Sequence, residues 1–169
     1  FIEFIRKDKF SDLKTRYITL LSELLETSDS NVVIYEAANT LVLLTSNPAV
    51  VSLAANKFIE LTIKVSDNNV KLITLERISD IHKHNPGILN DLVLDILRIV
   101  SSPDIDIKRR AIEISLELVS SRNVDDVLKL FKKELTKTLN SDADKTVEYR
   151  QLLISAIHQT AINFAQVAA

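Results

Sequence analysis

The sequence predicts an all-α protein made of stacked helical hairpins, and three observations predict it. The first is composition. Of 169 residues only one is Gly and three are Pro, against about 12% for the two types together in an average protein. Sheets need tight turns, and tight turns draw on Gly and Pro, so all-β and α/β folds are nearly excluded. The second is an internal repeat. Ser28-Asp29-Ser30-Asn31-Val32 returns 38 positions later as Ser66-Asp67-Asn68-Asn69-Val70, and Asn47-Pro48 returns as Asn85-Pro86. Asn85 to Asn123 is the same step, and Asp67, Asp104 and Asp142 follow at 37 and 38. The third is helical spacing of the apolar residues within each unit.

Taken in order, the second helices follow the Asp-containing joints: Val32 to Thr45, Val70 to His84, Ile107 to Ser120, and Val147 to about Phe164. The first helices show i, i+3, i+4 series. These are Val51, Ala54, Ala55, Phe58, Leu61, Val65; then Leu89, Leu92, Val93, Ile96, Val100; then Val124, Val127, Leu128, Phe131, Leu135, Leu139. Each helix runs for ~15 residues, or ~23 Å. The reading is eight helices in antiparallel pairs, with approximate repeats 12–47, 48–85, 86–123 and 124–165. Leu41 to Leu44 and Leu152 to Ile154 are consecutive apolar runs, so these second helices are expected to be covered on both sides. Paired helices of about 40 residues stacked in a row are the HEAT/armadillo arrangement, a right-handed α-solenoid. A closed bundle has no reason to repeat its loops.

The joints have a chemical reading. Asp29, Asp67, Asp104 and Asp142 or Asp144 are expected to accept hydrogen bonds from the free N–H groups of the following helix. Asn47, Asn85 and Asn123 are expected to close the second helices in the left-handed conformation, with Pro48 and Pro86 forbidding continuation. An aligned row of these amides would also suit a peptide backbone, but capping explains them better.

Composition bounds function. Basic and acidic residues number 21 and 23, a net charge of −2, without the basic excess of a phosphate-backbone binder. There is no Cys, which removes disulfides, thiolate catalysis and cysteine-bound zinc. Ala37 to Asn56 is uncharged for 20 residues, enough to span a bilayer. Its polar residues and the central Asn47-Pro48 instead divide it into two half-helices. The chain has no Met and opens Phe1-Ile2-Glu3-Phe4-Ile5; with neither end carrying a polar capping repeat, 1–169 is expected to be one segment of a longer solenoid.

Several runs go further than periodicity. Tyr35-Glu36-Ala37-Ala38, Ser66 to Ile73, Leu92 to Arg98, Leu118 to Val124 and Tyr149 to Leu153 closely resemble the adaptin-like trunk of the coatomer beta-subunit family, over nearly the whole chain and in a middle portion of that trunk. Asn140 to Thr146 departs most. The helix pattern alone also suits the large subunits of clathrin adaptors; Ser-Asp-Asn-Asn-Val-Lys-Leu and Leu-Val-Ser-Ser-Arg-Asn-Val favour coatomer. The resemblance implies a structural scaffold of the vesicle coat, cytoplasmic and peripheral on Golgi membranes, active in retrograde Golgi-to-ER and intra-Golgi transport. It implies partnership with other coatomer subunits, among them a smaller longin-containing one, and with an Arf-type small GTPase through the wider trunk. It implies no catalytic site, cofactor, small-molecule substrate or nucleic acid.

Residue chemistry agrees in direction. His82 and His84 lie two apart on a helix and point ~200° from each other, so they cannot chelate one ion as an i, i+4 pair does. Glu76, Asp80 and His84 share a stripe of ordinary surface pairs. His158 is expected to be a partly buried, hydrogen-bonded side chain. No Gly-x-Ser-x-Gly or Gly-rich phosphate loop exists, and Gly87 beside Pro86 is a turn residue. Nucleic-acid-reading repeats carry equivalent side chains at matching positions, whereas Tyr35, Ile73, Arg110 and Arg150 vary here. Lys108-Arg109-Arg110 fan around their helix. Lys129, Lys132, Lys133 and Lys137 form a stripe, read either as the solvated face opposite Leu128, Phe131 and Leu135 or as a docking surface for an acidic partner or lipid headgroups. Leu116 is read as core.

Overall fold

The structure, a computed structural model, describes residues 2–7, 13–139 and 144–165. Among them are nine α-helices: α1 (Ile2–Lys7), α2 (Lys14–Thr27), α3 (Asn31–Leu44), α4 (Pro48–Lys64), α5 (Asn68–His84), α6 (Val93–Arg98), α7 (Ile105–Leu118), α8 (Val124–Thr138) and α9 (Asp144–Asn163). The described residues contain no strand. The all-α helical-repeat class is therefore the observed one, with α1 added ahead of the first repeat. Contacts group into two units, Phe1–Ile88 and Leu89–Ala169.

In the first unit α2 packs on α3, α3 on α4 and α4 on α5. The apolar spacing decides which faces meet: Tyr17, Leu21 and Leu25 from α2, Ile34, Ala37 and Leu41 from α3, and Val51, Ala54, Ala55 and Phe58 from α4 are all buried. The alanines allow close backbone approach, and the edge of the Phe58 ring meets Tyr35 at 5.5 Å between centroids. One polar contact is set into the α4–α5 seam. Thr62 Oγ1 and Thr74 Oγ1 lie 2.7 Å apart, and each also bonds a carbonyl of its own helix, so the buried hydroxyls are satisfied.

In the second unit the two-layer arrangement of stacked hairpins is explicit: α6 packs on α8 and α7 on α9, while α6 pairs with α7 and α8 with α9. The first element is not the continuous helix that the Leu89 series suggests. Short 3-10 turns at Asn90–Leu92 and Ile99–Ser101 flank the six residues of α6. The apolar face survives the tightening, since Leu89, Val93, Ile96 and Val100 are buried. Ser102 N–H bonds back to Ile99, and Pro103 then prevents extension.

The joints differ from the expected pattern in an instructive way. Asp67 Oδ1 accepts from Asn69 and Val70 N–H at 2.8 and 3.2 Å. Asp104 Oδ1 accepts from Asp106 and Ile107 N–H at 3.0 and 3.1 Å. Asp29 does not cap: α3 starts one residue later in its repeat, so Ser30 holds the cap position and Asp29 falls outside it. Asp142 lies outside the described residues, as does the side chain of Asp144. No residue except Gly87, at φ +87°, is left-handed among those described, so the asparagines are not left-handed caps. Asn47 opens α4 instead of closing α3, accepting from Ala49 N–H at 3.0 Å with Pro48 at the first helical position, where its missing N–H costs nothing. Asn85 does close α5, through its N–H to Ile81 O at 2.8 Å. Asn123 braces the α7–α8 turn: its Oδ1 accepts from Ser120 N–H at 2.7 Å, and its Nδ2 donates to Asn90 O at 3.0 Å. Three asparagines in register thus do three different jobs.

Two further expectations are corrected. Leu43 is 71% exposed and Ile154 51%, so each apolar run gives up only part of itself to the core. Leu116 is half-buried, while Ile114 and Leu118 are buried; the α7 stripe is Ile107, Ala111, Ile114, Leu118.

Asp67→Ala and Asp104→Ala should each lower stability by about 1 kcal/mol, whereas Asp29→Ala should leave the denaturant midpoint unchanged. Ile114→Asp should cost several kcal/mol, because a charge enters a site without a partner. Leu116→Asp should cost clearly less. Chemical denaturation of the five variants checks both.

Candidate docking surface

Helix α8 carries the lysine stripe, whose two readings are a solvated face and a docking surface. Val124, Val127, Leu128 and Phe131 are buried on its inner face; Leu135 is half-buried, and Leu139, just past the helix, is exposed. Lys129, Lys132, Lys133 and Lys137 are all exposed on the other side. Lys129 pairs with Asp126 at 3.2 Å and Lys137 with Glu134 at 2.5 Å, both one helical turn away. Lys132 and Lys133 have no ion-pair partner among the described residues. The stripe therefore shows a net positive face, strongest at its middle.

At the end of α8 the stripe meets the starts of α7 and α9. Here the fan expected of Lys108-Arg109-Arg110 resolves into three separate contacts. Arg110 pairs with Glu113 on its own helix at 3.1 Å. Arg109 pairs with Glu148 on α9. Lys108 Nζ stands 3.8 Å over the centre of the Tyr149 ring, a cation–π contact. Tyr149 in turn donates its hydroxyl to Glu134 Oε2 at 3.3 Å, and the Arg150 guanidinium donates to Thr138 O at 2.5 Å. Three helices are tied together by this network. Burial pushes the Tyr149 phenol well above its ordinary range, and the Glu134 charge and hydrogen bond add to the shift. Burial lowers Lys108, opposed by the Glu134 charge and reinforced by the Lys137 charge. Beside the network lies a cleft of about 390 Å³, with Val100, Pro103, Lys108, Lys137, Lys145 and Tyr149 in its lining.

Lys108, Lys145 and Tyr149 are not among the residues that the sequence offered as an alternative docking surface. Lys108 and Tyr149 are 41 positions apart on different helices, and no local spacing announces such a pair. The only sequence signal was the basic run Lys108-Arg109-Arg110 itself.

The histidines do not converge. His82 is half-buried and His84 exposed, its Nδ1 2.7 Å from the Asp80 carbonyl. His158 is exposed instead of partly buried, because Ile154 and Ile162 on either side of it face outward too. Among the described residues no group of three His, Asp or Glu side chains is placed to hold a metal ion. None of the described helices is long and apolar enough to cross a membrane.

Capped helical hairpins that share buried stripes define a helical-repeat protein. The chain belongs to the adaptin N-terminal region family, whose model matches residues 1–169. It is 50% identical over 172 residues to coatomer subunit beta of Saccharomyces cerevisiae, covering 100% of this chain and 18% of that protein. It is 44% identical over 159 residues to coatomer subunit beta of Sus scrofa (92% and 17% covered), and 43% over 155 residues to coatomer subunit beta-1 of Arabidopsis thaliana (92% and 16%). The chain thus spans less than a fifth of the length of these relatives.

Tyr149 provides a pH test. Its folded phenol is raised, so the stability it contributes is complete below the unfolded value of about 10 and declines as pH rises through the folded one. An absorbance titration should show a phenolate step above the ordinary range that Tyr149→Phe removes, and the variant should lose less stability above pH ~10.

Proposed function

We propose that this chain is a scaffold segment of a coatomer subunit of the beta type, acting by protein–protein contact and without catalysis. The observation that carries the proposal is the 50% identity with coatomer subunit beta of yeast across the entire chain, supported by similar identity to the pig and plant proteins. The helical-repeat fold suits the role, because it holds outward faces at fixed spacing while its buried stripes supply rigidity. In this reading the segment works within a longer trunk that joins other coatomer subunits, a smaller longin-containing one among them, and answers to an Arf-type small GTPase. It acts in the cytoplasm and peripherally on Golgi membranes, in retrograde Golgi-to-ER and intra-Golgi transport. Residues 1–169 form one continuous segment of that trunk.

The Lys129, Lys132, Lys133 and Lys137 stripe is the docking surface within this proposal. Its exposure supports that role, as does the absence of ion-pair partners for Lys132 and Lys133 among the described residues. Long-range attraction from such a stripe speeds encounter with an acidic partner or headgroup and weakens with salt.

The test uses the full-length subunit in its complex. Changing the four lysines to Glu should reduce co-purification of partner subunits or recruitment to Golgi membranes, with little change in melting temperature, since exposed charges are worth fractions of a kcal/mol. His82→Asn, His84→Asn and His158→Asn should each leave assembly intact. A histidine variant that melts normally yet abolishes transport would overturn the scaffold reading, and unaltered recruitment of the lysine variant would return the stripe to a plain solvated face.

A further inference from the structure

Lys108 is a half-buried charge of the second unit whose described contact is an aromatic ring. Its ammonium rests 3.8 Å above the Tyr149 ring, partly withdrawn from water, and no carboxylate among the described residues forms an ion pair with it. Glu134 is the nearest candidate. Its charge acts on Lys108, yet both its oxygens are committed, Oε1 to Lys137 at 2.5 Å and Oε2 to the Tyr149 hydroxyl at 3.3 Å. Lys145, on the first turn of α9, brings a third ammonium to the same cleft. Among the described residues, three cations therefore face one carboxylate that is already held. A partly desolvated cation without an ion pair is costly, and an anion entering the cleft offsets that cost.

We propose that this cleft binds a carboxylate side chain from an acidic segment of a protein partner. The floor selects the ligand. Val100, Pro103 and Ile105 give the cleft an apolar side, which suits the methylene stem of Glu or an apolar neighbour in the same peptide. The fixed Glu134 carboxylate repels a doubly charged phosphate more than a singly charged side chain. Depth argues against a lipid surface: a flat bilayer reaches the exposed Lys129, Lys132 and Lys133 before the half-buried Lys108. The protein source of the peptide rests on the scaffold reading above; the chemistry of the cleft does not. Lys137 belongs to both the stripe and the cleft, so a peptide lying along α8 places its end at Lys108.

The experiment uses the full-length subunit and a fluorescein-labelled peptide Glu-Leu-Glu-Leu-Glu-Leu, read by anisotropy, with Gln-Leu-Gln-Leu-Gln-Leu as the neutral control. The acidic peptide should bind and the neutral one should not. Lys108→Gln and Lys145→Gln should each weaken binding at least tenfold, while Lys83→Gln, exposed on α5, leaves it unchanged. Lys145 is exposed, so Lys145→Gln keeps the test decisive even where Lys108→Gln loosens the helix contacts. Equal binding of both peptides, or wild-type binding by Lys145→Gln at an unchanged melting temperature, would overturn the proposal. So would cleft variants that lose co-sedimentation with phosphatidylserine vesicles and keep the peptide. Failure of wild-type subunit to co-purify with coat partners, with peptide binding intact, would count against the scaffold reading alone.

Discussion

Each helix of this chain buries one stripe of side chains and leaves the opposite face to water, so none can persist without a neighbour. Isolated helices of about fifteen residues are marginal in water. What holds α7, for example, is Ile107, Ala111, Ile114 and Leu118, spaced by four, three and four residues along one side. Fully burying such a side chain is worth about 1.5–3 kcal/mol, several times the value of a surface ion pair such as Arg109 with Glu148. The apolar stripe therefore decides which helices meet, and polar contacts decide only how their ends are finished. Outward faces are then free of folding duty, and there a scaffold can place recognition.

The helical class and the repeat could be read directly from residues, because both depend on spacing along the chain. One glycine, the buried i, i+3, i+4 series of α4 and α8, and the Asp67 and Asp104 caps all follow from local chemistry. What failed was the assumption that equivalent positions do equivalent work. Asn47, Asn85 and Asn123 stand in register, yet one opens a helix, one closes a helix and one braces a turn. Short polar side chains choose among nearby backbone groups, and a shift of one residue in a helix start changes the choice. Asp29 shows this directly: α3 begins at Asn31 and not at Ser30, so the carboxylate loses its donors. Apolar runs misled for a related reason. Leu41 to Leu44 sweep most of the way round a helix, whereas the residues that α3 buries are Ile34, Ala37, Ala38, Thr40 and Leu41.

The docking surface divides the same way. A stripe on one helix is a pattern of spacing, and Lys129, Lys132, Lys133 and Lys137 are found where that pattern puts them. The cleft beside them is a product of three helices. Lys108 meets Tyr149 only because α7 packs on α9 and brings the starts of both helices together, while Glu134 arrives from the far end of α8. Sequence separations of 41, 15 and 3 residues link Lys108 to Tyr149, Tyr149 to Glu134 and Glu134 to Lys137. Only the last of these is a helical spacing.

That network also explains why a recognition site would sit at the hairpin ends. Along the middle of the helices, stripes interdigitate and little polar chemistry is tolerated; Thr62 and Thr74 survive there by bonding each other and their own helices. At the ends, chain direction reverses, caps are needed and polar groups gather. Glu134 occupies such an end and serves two masters, the Tyr149 hydroxyl and the Lys137 ammonium. An incoming carboxylate would compete with Glu134 for Lys137 and leave Tyr149 as its remaining partner. The hydrogen bond to Tyr149 keeps α8 and α9 joined during that exchange, because the phenol holds its proton far above neutral pH. Glu134 thus serves the fold through Tyr149, and the proposed recognition would draw on it through Lys137.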